Sequence, residues 1–89
     1  MRAVITVIGS DAVGIIARVS DLCSKKNINI LDITQSVLRD LFAMIMLVDI
    51  SEATASIPEL KEALAAIGEE MHLSVHIMHE DIFNSMHRI

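Results

Sequence analysis

The run LFAMIMLVDI at residues 41–50 carries no polar side chain before Asp49. A strand with one wet face alternates apolar and polar residues, so an unbroken apolar run implies cover on both faces. Its strongly apolar part, residues 41–48, is far shorter than the roughly 20 residues a membrane-spanning helix needs. The segment therefore reads as the central strand of a sheet. The chain has 89 residues, which predicts one small domain spanning residues 1–89. A domain of that size buries about 60–65% of the surface its unfolded chain exposes.

The other segments supply a sheet and helices to cover it. Residues 3–8 (AVITVI) are rich in β-branched side chains and stop at Gly9, which predicts a strand. From Gly14 the apolar residues Ile15, Ile16, Val19, Leu22 and Cys23 recur at helical spacing. Arg18, Asp21, Lys25 and Lys26 fall on the wet side of that helix. Ser10 or Asp11 is expected to cap its start and Asn27 to end it. Residues 29–38 (NILDITQSVL) read as a second strand, with Leu31, Ile33, Gln35 and Val37 on one face. Arg39-Asp40 is the expected turn into the third strand, without the usual Asn-Gly chemistry.

Ser56-Ile57-Pro58-Glu59 has the form of a capping box with proline in the first turn. Ile57, Leu60, Ala63, Leu64, Ile67 and Met71 form the apolar stripe that follows, and Gly68 is expected to end or weaken this helix. Residues 71–79 (MHLSVHIMH) read as a fourth strand and residues 80–88 as a short terminal helix. The order βαββαβ predicts an α+β, ferredoxin-like two-layer sandwich. Its antiparallel sheet would have the first and third strands central, with both main helices on one face.

Phe42 and Phe83 are the only aromatic residues, so the core must be aliphatic, with six Met among its candidates. A 53% hydrophobic content is high for this length and implies that part of the apolar surface meets another copy. The net charge of −5 and scattered basic residues argue against a nucleic-acid partner. Cys23 is the single cysteine, so no intrachain disulfide can form. Strand-like residues begin at Ala3 without a leader pattern, and the expected location is the cytoplasm, with no membrane partner.

The stretch VIGSDAVGII at residues 7–16 joins the first strand to the first helix. Its glycines have the spacing that opens a P-loop, but Ile15 and Ile16 stand where that loop carries its lysine and hydroxyl. Asp11 would also repel a phosphate. What remains is a helix start, which attracts a single carboxylate as well as a phosphate. Asp11 beside it could pair with an ammonium or simply cap the helix. Gly14 could equally serve close packing.

The pattern Gly9-x-Asp11-x-x-Gly14-Ile15-x-x-x-Val19, followed by Asn29 in NINILDI, resembles the ACT domain family. These are small βαββαβ regulatory modules that usually bind amino acids. The resemblance spans nearly the whole chain and is nearest to stand-alone ACT proteins, whose ending looks like DIFNSMHRI at residues 81–89. It extends to the N-terminal ACT domains of formyltetrahydrofolate deformylase and of the glycine-cleavage-system repressor. The resemblance implies a ligand site where the first loop meets the start of the second strand, often across a dimer interface. By position that assigns ligand binding to Asp11, Ala12, Val13, Gly14, Asn29 and Leu31. An amide such as Asn29 can donate to a carboxylate and accept from an ammonium. Many family members have Arg-Pro before the glycine, where this chain has Ala12-Val13, and some open the loop with histidine, where it has Gly9.

His72, His76 and His79 would share a helix face, as metal ligands do. In the strand expected here, His72 and His76 lie about 13 Å apart, too far to chelate one ion. No metal or other cofactor is expected. Cys23 belongs to an apolar stripe, and Ser10 with Asp11 has no base nearby, so no catalytic residue is assigned. The expected function is that of a non-catalytic regulatory homodimer, or higher homo-oligomer, with an amino-acid effector. The alternative is a subunit that docks on an enzyme or regulator without binding a metabolite.

Overall fold

The computed structural model describes residues 1–10 and 14–86. Its elements are β1 (Arg2–Gly9), α1 (Ile15–Lys25), β2 (Asn29–Leu38), β3 (Leu41–Asp49), α2 (Ile57–Met71), β4 (Ser74–His79) and α3 (Glu80–Met86). The four strands form one antiparallel sheet in the order β2-β3-β1-β4. The expected βαββαβ ferredoxin-like architecture is thus observed, with a third helix at the end.

β3 occupies the central place its apolar run predicts. Each residue of β1 has a partner on it, from Arg2 opposite Asp49 to Gly9 opposite Phe42. Phe42, Met44, Met46 and Val48 are buried on its inner face, beside Ala3, Ile5 and Val7 of β1. Helices α1 and α2 cover this face with Ile15, Val19, Cys23, Leu60, Leu64 and Ile67. Burial pushes the Cys23 thiol above its usual pKa, as expected of a core thiol rather than a nucleophile. Ile16, counted with the apolar stripe of α1, is exposed instead.

The opposite face is only partly covered. Val4 has the parity of Thr6 and Ile8, yet it is 3% exposed, whereas Ile8 is 48% exposed. α3 lies on this outer face, tied to β1 by Arg2, whose Nε and Nη2 reach the Glu80 carboxylate at 3.1 and 2.8 Å. The Nδ1 atom of His79 accepts the Asp81 N–H at 3.1 Å at the start of the helix. His87, Arg88 and Ile89 lie outside the described residues.

Three local readings need correction. The first concerns β2, whose register slips between Ile30 and Asp32, leaving Leu31 as the extra residue of a bulge. A bulge inverts the parity of the residues before it, so Ile30 and Ile33 both pack toward the core while Leu31 turns out to solvent. The second concerns the start of α1. Gly14 stands at the cap in the left-handed region, φ 81°, and among the described residues no side chain caps the helix. Ser10 is four residues too early for that role, and Asp11 lies outside the described residues.

The third correction concerns Gly68 and Met71. α2 runs through both and stops at His72, a left-handed residue with φ 59°. The Leu73 N–H reaches back to the Gly68 carbonyl at 2.8 Å, and the His72 N–H to that of Glu69 at 3.4 Å. This is a Schellman ending, and α1 finishes in the same way at Asn27, with Ile28 bonded to Cys23. Asn27 therefore ends its helix as expected, whereas His72 leaves the fourth strand to become a helix terminator.

Gly68 has a packing reason. A Cβ there would lie 2.5 Å from the Leu73 carbonyl oxygen and 3.2 Å from Val75 Cγ2. Alanine gains about 1 kcal/mol of helix propensity over glycine. Forcing backbone out of a packed contact costs about 1–3 kcal/mol, so the clash prevails. Gly68→Ala should lower stability by about 1 kcal/mol in urea denaturation and the melting temperature by roughly 4–8 °C. A midpoint equal to the parent's would contradict this close approach.

Candidate ligand-binding site

Two polar features border the sheet, one at each end. At the end where β1 finishes, α1 begins at Gly14 with no side-chain cap among the described residues and no acidic residue in its first turn. The first N–H groups of a helix have no partner within it and carry a partial positive charge. Gly14 is exposed, whereas Ile15, the first residue of the helix, is buried. Of the loop residues assigned to ligand binding, Asp11, Ala12 and Val13 lie outside the described residues.

At the other end, Asn29 opens β2 and pairs in register with Asp49, which in turn faces Arg2. Asn29 is exposed at the rim of a cavity of about 440 Å³ lined by Ser24, Asn27, Ile28, Asn29, Asp49 and Glu52. Asn27 is held in the left-handed region, and its Nδ2 donates to the Glu52 carbonyl at 3.0 Å. Asp49 accepts the Ser51 N–H at 2.9 Å, and the Met1 ammonium lies 3.7 Å from the same oxygen. Ser51, through its side chain and then its backbone, holds the Asp49 carboxyl below its usual pKa, with a further contribution from the ammonium. The cavity is thus lined by two acidic residues, Asp49 and Glu52, and two amides, Asn27 and Asn29.

One chain does not bring these features together. Arg2 shares a row with Asp49 and Asn29, whereas Gly9 shares one with Phe42 and Val37. At strand rise those rows are about 23 Å apart. Leu31, the bulged residue, belongs to the Asn29 end. Sequence reasoning missed Asp49, Glu52 and Asn27 as neighbours of Asn29. The signal available was limited to Asp49 closing the apolar run and Asn27 standing two residues before Asn29.

The histidines do not converge either. His72 terminates α2, His76 is exposed on the outer face opposite Thr6, and His79 pairs with Ala3. No cluster of three or more metal-ligating side chains is found among the described residues.

Comparison with known proteins joins this geometry to a family. A profile described as ACT domain matches residues 2–78. The chain belongs to the ACT domain family. A UPF0237 protein of Methanopyrus kandleri is 53% identical to this ACT domain over 88 residues, covering 99% of this chain and 98% of that one. Among solved structures, an ACT domain protein from Streptococcus pneumoniae is similar over 93% of both chains, with TM-score 0.80 and 35% identity. A formyltetrahydrofolate deformylase from Pseudomonas syringae shares the fold at TM-score 0.77 and 23% identity, over 88% of this chain and 27% of its own. A putative glycine cleavage system transcriptional repressor is similar at TM-score 0.69 and 25% identity, over 86% of this chain and 44% of its own. This ACT domain corresponds in length to its stand-alone relatives and to a part of the larger proteins.

The carboxylates around the fold give it a defined response to acid. Asp49 is held low by Ser51, Glu59 by the Ser56 cap, and Glu70 by Arg18, whose Nη2 lies 2.6 Å from Glu70 Oε2. A folded-state pKa below the unfolded value stabilises the fold above the ordinary carboxylate range. That contribution is lost as pH falls through the depressed folded values. Chemical denaturation should therefore show stability falling with pH below about 4. Asp49→Asn should flatten that acid limb, and a limb as steep as the parent's would contradict the assigned role of Ser51.

Proposed function

We propose that this ACT domain is a homodimeric regulatory module that binds an amino acid, or a similar small zwitterion, at the seam between two copies. The observation that carries the reading is the separation of the two half-sites. A helix start lies at one end of the sheet and a cavity lined by Asn29, Asp49 and Glu52 at the other, and in this reading the first takes the carboxylate and the second the ammonium. β2 is an edge strand, hydrogen-bonded to β3 on one side only. Antiparallel pairing of β2 with its symmetry mate brings each copy's Asn29 end toward the other copy's Gly14 end. Two equal sites result, each with a donor set for a carboxylate and an acceptor set for an ammonium.

In this reading the ligand-binding residues are Asp11, Ala12, Val13 and Gly14 from one copy and Asn29 and Leu31 from the other. Asp49 and Glu52 add charge on the ammonium side. Val37 on β2, 69% exposed, and Ile16 on α1 become seam contacts, which accounts for apolar surface that the single chain leaves open. Effector binding then stabilises the dimer and alters its affinity for the enzyme or regulator it controls. Family membership and the likeness to a named transcriptional repressor support a regulatory role. The module is expected to work in the cytoplasm without nucleic acid or membrane as direct partner.

The test is a thermal-shift screen of the twenty amino acids, with mass measured by light scattering. A true effector at ten times its Kd adds about 1.4 kcal/mol, or roughly 5–10 °C for a domain of this size. Asn29→Ala and Asp11→Ala should each remove most of the shift while leaving the unliganded melting temperature within about 2 °C. A monomer at micromolar concentration, or an undiminished shift in Asn29→Ala, would overturn the seam site. Silence across all twenty would overturn the amino-acid reading.

A further inference from the structure

The second edge of the sheet is independent of the seam just described. β4 pairs with β1 on one side, and no strand pairs its other side among the described residues. It therefore presents a row of N–H and C=O groups that only another extended backbone can satisfy in full. This edge forms the floor of a slot. α2 contributes Lys61 and Ala65 on one wall, α3 contributes Ile82 on the other, and residues 75–78 lie between them. The slot measures about 460 Å³.

We propose that this slot binds an extended peptide segment of a partner protein by strand addition to β4, with one acidic side chain of the segment paired to Lys61. Three observations converge on that occupant. The free main-chain groups demand a strand rather than a helix or a small molecule. Strand addition sends alternate side chains to opposite faces, and the walls differ accordingly. Beside Ala65 there is room for a side chain, and beside Ile82, 55% exposed, there is apolar surface to cover. Lys61 is the only lysine, arginine or carboxylate among the lining residues, and no ion pair engages it among the described residues. On a chain of net charge −5, an isolated cation beside an open strand selects for a carboxylate at that place.

The strand itself suits the role. Val75 and Ile77 anchor β4 in the core at 5% and 3% exposed. His76 and Met78 point to the outer face, where a guest strand's side chains would extend the cover that α3 begins. The slot lies across the sheet from β2, so pairing of two copies through β2 leaves it open.

The test uses the full chain, isotope-labelled, and two blocked heptapeptides that alternate valine and threonine. One ends in glutamate and its twin ends in lysine. In an amide-resolved titration to millimolar concentration, the glutamate peptide should shift Lys61, Ala65, Ile82 and residues 74–79. It should bind about fivefold more tightly than the lysine twin. Lys61→Glu, an exposed substitution whose unliganded spectrum reports whether the fold is kept, should invert that preference. Ala65→Glu should abolish binding of both peptides by filling the slot. The proposal is overturned if neither peptide shifts β4, if the shifts fall on residues 29–38 instead, or if Lys61→Glu keeps the parent's preference. Pairing of β4 with a second copy, seen as concentration-dependent shifts of the same residues without peptide, would also overturn it.

Discussion

The pairing of β1 with β3 is the constraint on which the rest of the molecule depends. It runs the full length of β1 without a slip, so parity along those two strands decides which residues see the helices. A shift by one residue would turn Met44, Met46 and Val48 to the outer face and bring Ala43, Ile45 and Leu47 inward. Turning β1 instead would be no better, because Thr6 would then enter the core. Flanking strands and helices add to a frame whose inside and outside are already decided.

Much of this was legible because the signals were redundant. β3 announced itself by lacking polar residues, α2 by its capping box, and the element order by the spacing between them. The errors fall where a single residue changes the local geometry. The bulge at Leu31 has no compositional mark, since its reason lies across the strand pair in the register against Leu47 and Val48. His72 looks like a strand residue in an alternating run, and its left-handed conformation follows from how α2 meets β4. Gly68 reads as a helix breaker, but it serves the close passage of the Leu73 backbone.

The candidate site was legible in its residue types and obscure in its arrangement. Gly14 and Asn29 could be singled out from the family pattern, and each lies beside a polar feature of suitable sign. Their separation by the length of the sheet could not be read from a spacing of fifteen residues, which a helix and turn also bridge. Asp49 and Glu52 reach the neighbourhood of Asn29 through the sheet register and the chain beyond β3, so no local motif holds them. What the family pattern sets fifteen residues apart in the chain, the fold places at opposite ends of the sheet in a single copy.

The position of α3 divides the domain into a packed inner layer and a sparser outer one. The match to the family ends at residue 78, whereas α3 begins at Glu80, on the face that α1 and α2 leave bare. None of its residues is buried, and none belongs to the core cluster. It rests on Arg2, the His79 cap and contacts to β1 and β4, outside the packed core. Beside it the outer face of the sheet already carries exposed apolar side chains, Ile8 at 48% and Ile45 at 39%. The last helix thus adds a partial second layer to a domain whose buried core is built without it.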